Sequence, residues 1–423
     1  MRILIVGGGG REHTFCWKLA QSPQVSQLFA APGNAGTAAI ATNLNIGVSD
    51  FPALKAAVLE HQIQLVVAGP EAPLVDGITD FFLADPQLKD VPVIGPQKAA
   101  AALEGSKSFA KKFMQRHQIP TAAYGEFTAD KIAEGEAFLE QMQAPYVLKA
   151  DGLAAGKGVL IIQDLDEAKA ALRKMLIDQQ FGAASQTVVI EEFLQGIEAS
   201  CFVWTDGKSY KILPYAKDYK RIGEGDTGLN TGGMGAISPV PFLTPAIQKT
   251  IEDTIVVPTV QGLQTDQMPY VGFIFIGLML VGDAPYVIEY NVRMGDPETE
   301  VVLPRIQTDL AELLSAMAEG RLAEVDLQID PQVATTVMAV SQGYPEAYEK
   351  GKVIEGLDQV RTATIFHAGT QLEGDQIKTS GGRVLAATAL GDTRKAALEK
   401  SYKALAQVCF EGINYRKDIG FDL

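Results

Sequence analysis

The sequence predicts a multidomain chain of mixed α/β and α+β class, opening with a doubly wound parallel sheet. Three observations predict it. Over residues 1–102, short β-rich runs (2–6, 27–31, 64–68 and 91–94) alternate with helical patterns (12–21 and 51–61), the rhythm of a parallel sheet with helices on both faces. Residues 123–192 repeat strand and helix on a smaller scale, as a lid-sized insertion would. The remainder is rich in strands and ends in a helical pattern. A length of 423 residues suits roughly three domains at about 150 residues each.

Each N-terminal run ends in glycine or proline, at 7–10, 32–36, 69–77 and 95–96, and sheets of this kind bind ligands beyond the carboxyl ends of their strands. Ser106 is placed to cap a helix reaching about His117, and Pro120 closes the connection. There follow strand 124–127, helix 131–142, strand 146–150, loop 151–156, strand 157–162, helix 166–177 and strand 187–192. Residues 195–324 read as strands with a glycine-rich loop at 223–235, helical patterns at 245–264 and 308–320, and a hairpin over 271–291 turning at 282–285. From 325 onward, strands are expected at 334–340, 363–368 and 382–389, then a helix over 393–408. The expected division is 1–102; 103–122 with 193–324; 123–192; and 325–423.

Charge narrows the function. With 36 basic against 51 acidic residues the net charge is −15, so the broad positive field that nucleic-acid binding needs is missing. Anionic membrane surfaces are disfavoured too. Phosphate must therefore be met by local cations and backbone amides. Cys16, Cys201 and Cys409 form no disulfide framework and no zinc spacing, which favours a reducing cytoplasm. The longest apolar stretch, 271–282, falls short of the ~20 residues of a spanning helix, and the run 3–6 is too short for a signal-peptide core.

Four runs carry chemistry. Gly7, Gly8, Gly9 and Gly10 follow a strand and lead through Arg11 and Glu12 into a helix; amides and helix dipole suit an anion there, although a tight turn without ligand reads equally well. The third glycine of a dinucleotide fingerprint is missing, so a phosphorylated small molecule fits better. Residues 148–159 place Lys149 at a strand end, small residues through the turn, and Lys157 at the start of the next strand, a flap able to close over a polyphosphate. Residues 188–194 run from an apolar strand into Glu191 and Glu192, with Glu198 beyond; this suits a purine cleft and is also a commonplace charged strand end. Finally, Glu289 and Asn291 share one face of a strand as i and i+2. Their oxygens suit magnesium held jointly with phosphates, and Arg293 continues that face toward a transferring phosphoryl group. Lys217–Arg221 adds a charged cluster beside the glycine-rich loop. His13, His61, His117 and His367 show no metal pattern.

With these residues in hand, the chain resembles the ATP-grasp ligases, and among them the glycinamide ribonucleotide synthetase family. The matching runs are GGGGREH, APGNAGT, AGPEAPL, LEGSK, LKADGLAAGKG, VIEEFL, NTGGMGA, EYNVRMGDPE, FHAGT, SGGRVL and RKDIG, which span nearly the whole chain. The resemblance implies four domains: an N-terminal substrate domain, a bipartite ATP-grasp domain with a small B lid, and a C-terminal cap. It implies ATP as co-substrate with Mg2+ or Mn2+, and glycine and 5-phosphoribosylamine as substrates, joined through glycyl phosphate in purine biosynthesis. Lys107, Lys149 and the flap Gly152, Gly156, Lys157 and Gly158 would hold ATP phosphates. Glu191, Glu192, Phe193 and Leu194 would meet adenine, and Glu198 the ribose. Glu289 and Asn291 would bind the metal, with Arg293 on the moving phosphoryl. Gly8, Gly9, Gly10, Arg11 and Asn34 would receive the ribosylamine phosphate, with Glu71, Gly233, Asp296, Pro297 and Glu298 nearby. Asp218 and Lys220 would place glycine or the acyl phosphate. A monomer or weak dimer is expected, with transient contact to the preceding amidotransferase.

Two positions depart from the family: Tyr219 stands where histidine is frequent and Leu229 where proline is. The strand expected to pair with that of Glu289 carries no acid, which leaves metal stoichiometry open. The competing readings are an ATP-grasp enzyme that carboxylates an aminoimidazole and a nucleotide sensor without catalysis. Intact Lys149, Glu289, Asn291 and Arg293 speak against the sensor, which needs no phosphoryl clamp.

Overall fold

The computed structural model describes residues 1–153 and 158–423. Its first unit is a five-stranded parallel sheet ordered Thr42–Asn43, Gln27–Pro32, Arg2–Gly7, Leu65–Ala68, Val93–Ile94. The chain order reverses between Arg2–Gly7 and Leu65–Ala68, so the ligand crevice of such a sheet opens at the ends of these two strands. The loops there are the Gly7–Gly10 turn and the Gly69–Glu71 turn, as expected. The two-residue strand Thr42–Asn43 is an addition, too short to show a period.

Ser106 caps helix Lys107–Arg116, its Oγ accepting from the Phe109 amide at 3.1 Å. The lid follows as a four-stranded antiparallel sheet ordered Tyr124–Thr128, Thr187–Glu191, Tyr146–Ala150, Val159–Ile162. Helices Ile132–Gln141 and Leu165–Leu176 cover it, and Phe127, Leu139, Leu148, Leu172, Val188 and Ile190 form a hydrophobic core of its own. A separate core is what lets a small unit move as a body. The second hairpin strand begins at Val159 rather than at residue 157, and Gly156 and Lys157 lie outside the described residues.

The larger antiparallel sheet is ordered Tyr210–Ile212, Ile197–Thr205, Gly272–Val281, Ala284–Asn291. Its hairpin turns through Gly282 at φ 60°. Glu289 pairs with Gly277 but Val287 with Leu278, so Ile288 is an extra residue, a bulge one position before Glu289. Bulges re-aim the residues beyond them; past this one the register is regular, which keeps Glu289 and Asn291 on one face. The helical pattern at 245–264 is interrupted: Pro245–Ile251 passes into a widened turn, Glu252–Val256, before Val257–Thr265. Pro258 has no amide to donate back to Thr254, and the widened turn accommodates that gap.

One sheet joins segments from both sides of the boundary expected at 325. Strands Lys217–Asp218 and Gly235–Ser238 lie in the same sheet as Val333–Val340, Arg383–Gly391 and Thr364–His367. Residues expected in the ATP-grasp part thus complete the C-terminal sheet, because the buried run Gly235–Ser238 finds its partner at Ala334–Val337. The hairpin Thr370–Glu373 with Gln376–Thr379 is a further addition. Among the described residues no helix is long and apolar enough to cross a membrane.

The N-terminal sheet and the larger antiparallel sheet share one core, in which Ile3, Ile5 and Phe15 pack with Phe202, Trp204 and Phe273. Phe273 sits between both partners, 5.4 Å from Phe15 and 4.9 Å from Trp204, centroid to centroid. Phe273→Ala should therefore cost about 3–5 kcal/mol and lower the melting of both sheets in one transition. Calorimetry showing the N-terminal sheet melting unchanged would contradict this.

Candidate active site

Arg293 lies just past the end of strand Ala284–Asn291, and three acceptors aim it. Its Nη2 donates to Asn291 Oδ1 at 2.9 Å and forms an ion pair with Glu104 Oε1 at 2.9 Å, while Nε lies 3.6 Å from Glu71 Oε2. Glu104 is buried and is itself fixed by the Val292 amide at 2.8 Å. Burial pushes the Glu104 carboxyl up, against the pull of Arg293. Glu71 goes the other way, because Arg293 and Arg11 outweigh its partial burial. Sequence reasoning missed Glu104; the available signal was a lone acid closing the apolar run at 99–103.

The Glu289 side chain makes no hydrogen bond or ion pair among the described residues, and the Asn291 amide nitrogen is buried without a partner. A free carboxylate beside an amide oxygen is a hard-oxygen donor set. It fits a divalent cation that takes its remaining ligands from phosphates. Among the described residues no group of three acidic, histidine or cysteine side chains is assembled for a metal, so the donor set is incomplete without such phosphates.

The lysines form the second layer. Lys149, 6% exposed, pairs with Glu191 at 2.9 Å, and Lys111, 2% exposed, reaches the same carboxylate at 3.2 Å and Thr121 Oγ1 at 2.8 Å. Burial lowers the Lys111 ammonium to about 8, while the two lysines hold Glu191 down despite its own burial. The Glu191 carboxylate is thus engaged by two ammonium groups. Lys111 was not anticipated; a lysine on the buried face of helix Lys107–Arg116, next to Ala110, was its only trace. Lys107 reaches the Gly152 carbonyl at 3.2 Å, and its ammonium is lowered by burial. Asp151 accepts from the Ser108 amide at 2.6 Å and from Ser106 Oγ at 3.0 Å, tying the lid hairpin to the helix start. Gly158 accepts from the Ala150 amide at 2.8 Å. Beyond Glu191, the Glu192 amide bonds to the Ala123 carbonyl at 2.9 Å, and Phe193 remains 38% exposed beside half-buried Leu194. That leaves an uncovered apolar strip at the root of the lid.

The glycine turn is more occupied than expected. The Gly9 amide donates to Glu12 Oε2 at 2.6 Å, and the Arg11 amide faces Asp296 Oδ2 at 3.4 Å. Arg11 Nε pairs with Glu12 at 2.6 Å and its Nη1 donates to the Met294 carbonyl at 3.1 Å, so this buried side chain holds the fold together. Asn34 is likewise spent: Nδ2 donates to the carbonyls of Gly8 at 3.0 Å and His367 at 2.7 Å, and Oδ1 accepts from the Gly36 and Thr37 amides. Arg11 and Asn34 thus shape the turn through these contacts, and the glycines lie at the crevice. Gly8 must be glycine, since a Cβ would come within 2.6 Å of the Gly33 carbonyl oxygen, and one on Gly10 within 2.3 Å of Glu300 Oε1.

On the far side, Arg383 donates to the carbonyls of Gly232 at 2.7 Å and Asp296 at 2.6 Å, and lies 3.1 Å from Asp296 Oδ1. Gly233, at φ 120°, packs on Pro297. Glu298 accepts from Ser200 Oγ at 3.3 Å. Its carboxyl is pushed up to about 7 by burial first and by Asp218 second. Asp218 is raised by burial, with Lys220 opposing. Lys220 pairs with Glu198 at 2.5 Å and, with Asp218 and Glu198 near, stays firmly charged although burial works against it. Asp218, Lys220, Glu198 and Glu298 therefore come together as one charged group.

A lid with its own core, a lysine-ended hairpin and a second antiparallel sheet ending in Glu-x-Asn-x-Arg is the arrangement of the ATP-grasp ligases. The chain belongs to the phosphoribosylglycinamide synthetase family, whose N domain matches residues 1–104, whose ATP-grasp (A) domain matches 105–299 and whose C domain matches 334–422. Proteins named phosphoribosylamine–glycine ligase from Vibrio cholerae and Pseudomonas aeruginosa are 47% and 46% identical, over 100% of this chain and 98% of theirs. A bifunctional purine biosynthetic protein of Pichia angusta is 47% identical over 99% of this chain, which spans 53% of it. The crystal structure of phosphoribosylamine–glycine ligase from Thermotoga maritima superposes with a TM-score of 0.85 at 36% identity, covering 99% of this chain and 100% of that one. A biotin carboxylase from Campylobacter jejuni shares the fold alone, at TM-score 0.74 and 15% identity, over 98% of this chain and 92% of that one.

Glu298 yields a pH signature. Its carboxyl rises from 4.5 unfolded to about 7 folded, so its contribution to stability is complete below 4.5 and lost as pH climbs through 7. Glutamine at this position cannot ionise. The Tm of Glu298→Gln relative to the parent should therefore increase between pH 5 and pH 8; a difference constant across that range would refute the assignment.

Proposed function

We propose that this chain joins glycine to 5-phosphoribosylamine with ATP, giving glycinamide ribonucleotide, ADP and phosphate through glycyl phosphate. The observation that carries the reading is Arg293, held by Glu104, Asn291 and Glu71 on the strand that bears the free Glu289 carboxylate, with Lys149 and Lys107 on the lid side. That is a phosphoryl-transfer site, and it holds no enzyme nucleophile because the chemistry needs none.

A carboxylate is a poor acyl donor until one of its oxygens becomes a leaving group. Glycine's carboxylate oxygen attacks the γ-phosphorus of ATP, the bond to ADP breaks, and glycyl phosphate results. The ribosylamine nitrogen then attacks the acyl carbon, phosphate departs and the nitrogen loses a proton. Lys107, Lys149 and the flap hold the phosphates, and Arg293 meets charge on the moving phosphoryl group. Glu289 and Asn291 would hold Mg2+ or Mn2+, which supplies charge neutralisation on the phosphates when bound. Glu192, Phe193 and Leu194 line the adenine strip and Glu198 faces the ribose. Gly8, Gly9 and Gly10 approach the ribosylamine phosphate, with Glu71, Asp296 and Glu298 near its sugar. Glu298, titrating near neutrality, is matched to accept the amine proton. Residues 123–192 close over the reaction and exclude the water that would hydrolyse the acyl phosphate. The unpaired cysteines fit a reducing cytoplasm, and an unstable amine favours brief contact with the amidotransferase that makes it.

Phosphate release from ATP should depend on both glycine and freshly made phosphoribosylamine, and not on bicarbonate. Absence of glycine-dependent turnover would end this reading, and bicarbonate dependence would favour the carboxylating alternative. In the same assay, Glu289→Ala should raise the magnesium concentration needed for half-maximal rate by about tenfold or more, the loss of one charged ligand. An unchanged magnesium requirement would remove Glu289 from the metal site.

A further inference from the structure

The loop that carries Asp218 and Lys220 is fastened from behind. Chain direction explains why: neighbours in an extended segment point to opposite sides, so while Asp218 and Lys220 face Glu198 and Glu298, Tyr219 between them points into the C-terminal unit. There it is 1% exposed and its hydroxyl donates to Asp422 Oδ1 at 2.8 Å. Asp422 also pairs with Lys217 at 3.1 Å, and the Lys217 ammonium lies 4.4 Å from the Tyr219 ring. The Arg416 guanidinium stands 5.4 Å from the same ring.

Residues 416–418 grip the rest of the loop. Arg416, 1% exposed, donates to Asp226 Oδ1 at 2.6 Å and to the Arg221 carbonyl at 3.2 Å, and is held by both oxygens of Asp418 at 2.8 Å. Asp418 takes in addition the Gly225 amide at 2.7 Å. Asp226 sits at φ 55°, a left-handed conformation uncommon outside glycine though better tolerated by aspartate than by most residues. Five loop residues, 217, 219, 221, 225 and 226, thus lean on three residues of the 416–422 segment.

We infer that segment 416–422 is a positioning element for the ligation step, and that Tyr219 is a positioning residue that aims Asp218 and Lys220 through its hydrogen bond to Asp422. The inference rests on the ligase reading above for the role of those two side chains. It assigns residue 219 a task that involves no contact with substrate: a buried hydroxyl already committed to a carboxylate is unavailable for proton transfer.

The test uses the full chain with Tyr219→Phe, Asp422→Ala and the double variant. Each single change should lower glycine-dependent kcat by about tenfold, the worth of one hydrogen bond to a charged group, with the KM for ATP unchanged. The double variant should be no worse than Asp422→Ala alone, because that change already removes the Tyr219 hydrogen bond together with the Lys217 pair. Amide hydrogen exchange should quicken over 217–231 and stay unchanged over 333–340. Full kcat in Tyr219→Phe, losses that multiply in the double variant, or a uniform rise in exchange would each overturn the inference. If Tyr219→Phe does not fold, Asp422→Ala, which leaves the ring packed and removes the acceptor, decides alone. If the parent shows no glycine-dependent turnover, the ligase reading fails, while the exchange pattern still decides whether the segment holds the loop.

Discussion

Cations can sit in a largely buried active site only if carboxylates are buried with them, and this pairing organises the molecule. An unpaired charge removed from water costs several kcal/mol. Arg293 has Glu104, Lys149 and Lys111 share Glu191, Arg11 has Glu12, and Arg383 has Asp296. Each pairing also fixes a direction. A cation already oriented by a carboxylate needs little reorganisation when phosphate arrives, which is where electrostatic catalysis gains most.

The same pairing sets how the lid and the base communicate. Asp151 joins the hairpin to the start of helix Lys107–Arg116, and Lys111 from that helix meets Glu191 at the other end of the lid sheet. The lid is therefore hinged at two points on one helix while keeping a core of its own. The N-terminal sheet, by contrast, shares its core with the larger sheet through Phe15, Phe273 and Trp204. One unit is built to move and the other to stay.

Much of this was legible from residue order, and the limits of legibility have a physical cause. The strand–helix rhythm of 1–102, the lid, the hairpin at 271–291 and the Glu289–Asn291–Arg293 face all rest on local periodicity, which a sequence displays directly. What escaped reading depends on distant partners. Glu104 acquires its meaning from a backbone amide 188 residues away, and Asn34 from a carbonyl 333 residues away. Lys111 looks like any helix lysine until Glu191 arrives beside it. Thr42–Asn43 and the exposed hairpin around Gly374 were too short or too polar to show alternation. The sheet that bridges the two sides of residue 325 escaped for the same reason: the partner of Gly235–Ser238 lies almost a hundred residues downstream.

That crossing of segments has a bearing on how the protein is made. Because strands Lys217–Asp218 and Gly235–Ser238 are completed by a sheet assembled from residues 333–391, the ribosome must deliver most of the polypeptide before this sheet can close. Domains usually fold in order as they emerge; here the middle of the chain has to wait, with buried-type surface exposed, for its late-synthesised neighbour. The interval is a natural point for chaperone engagement, and it ties the birth of activity to the near-completion of translation.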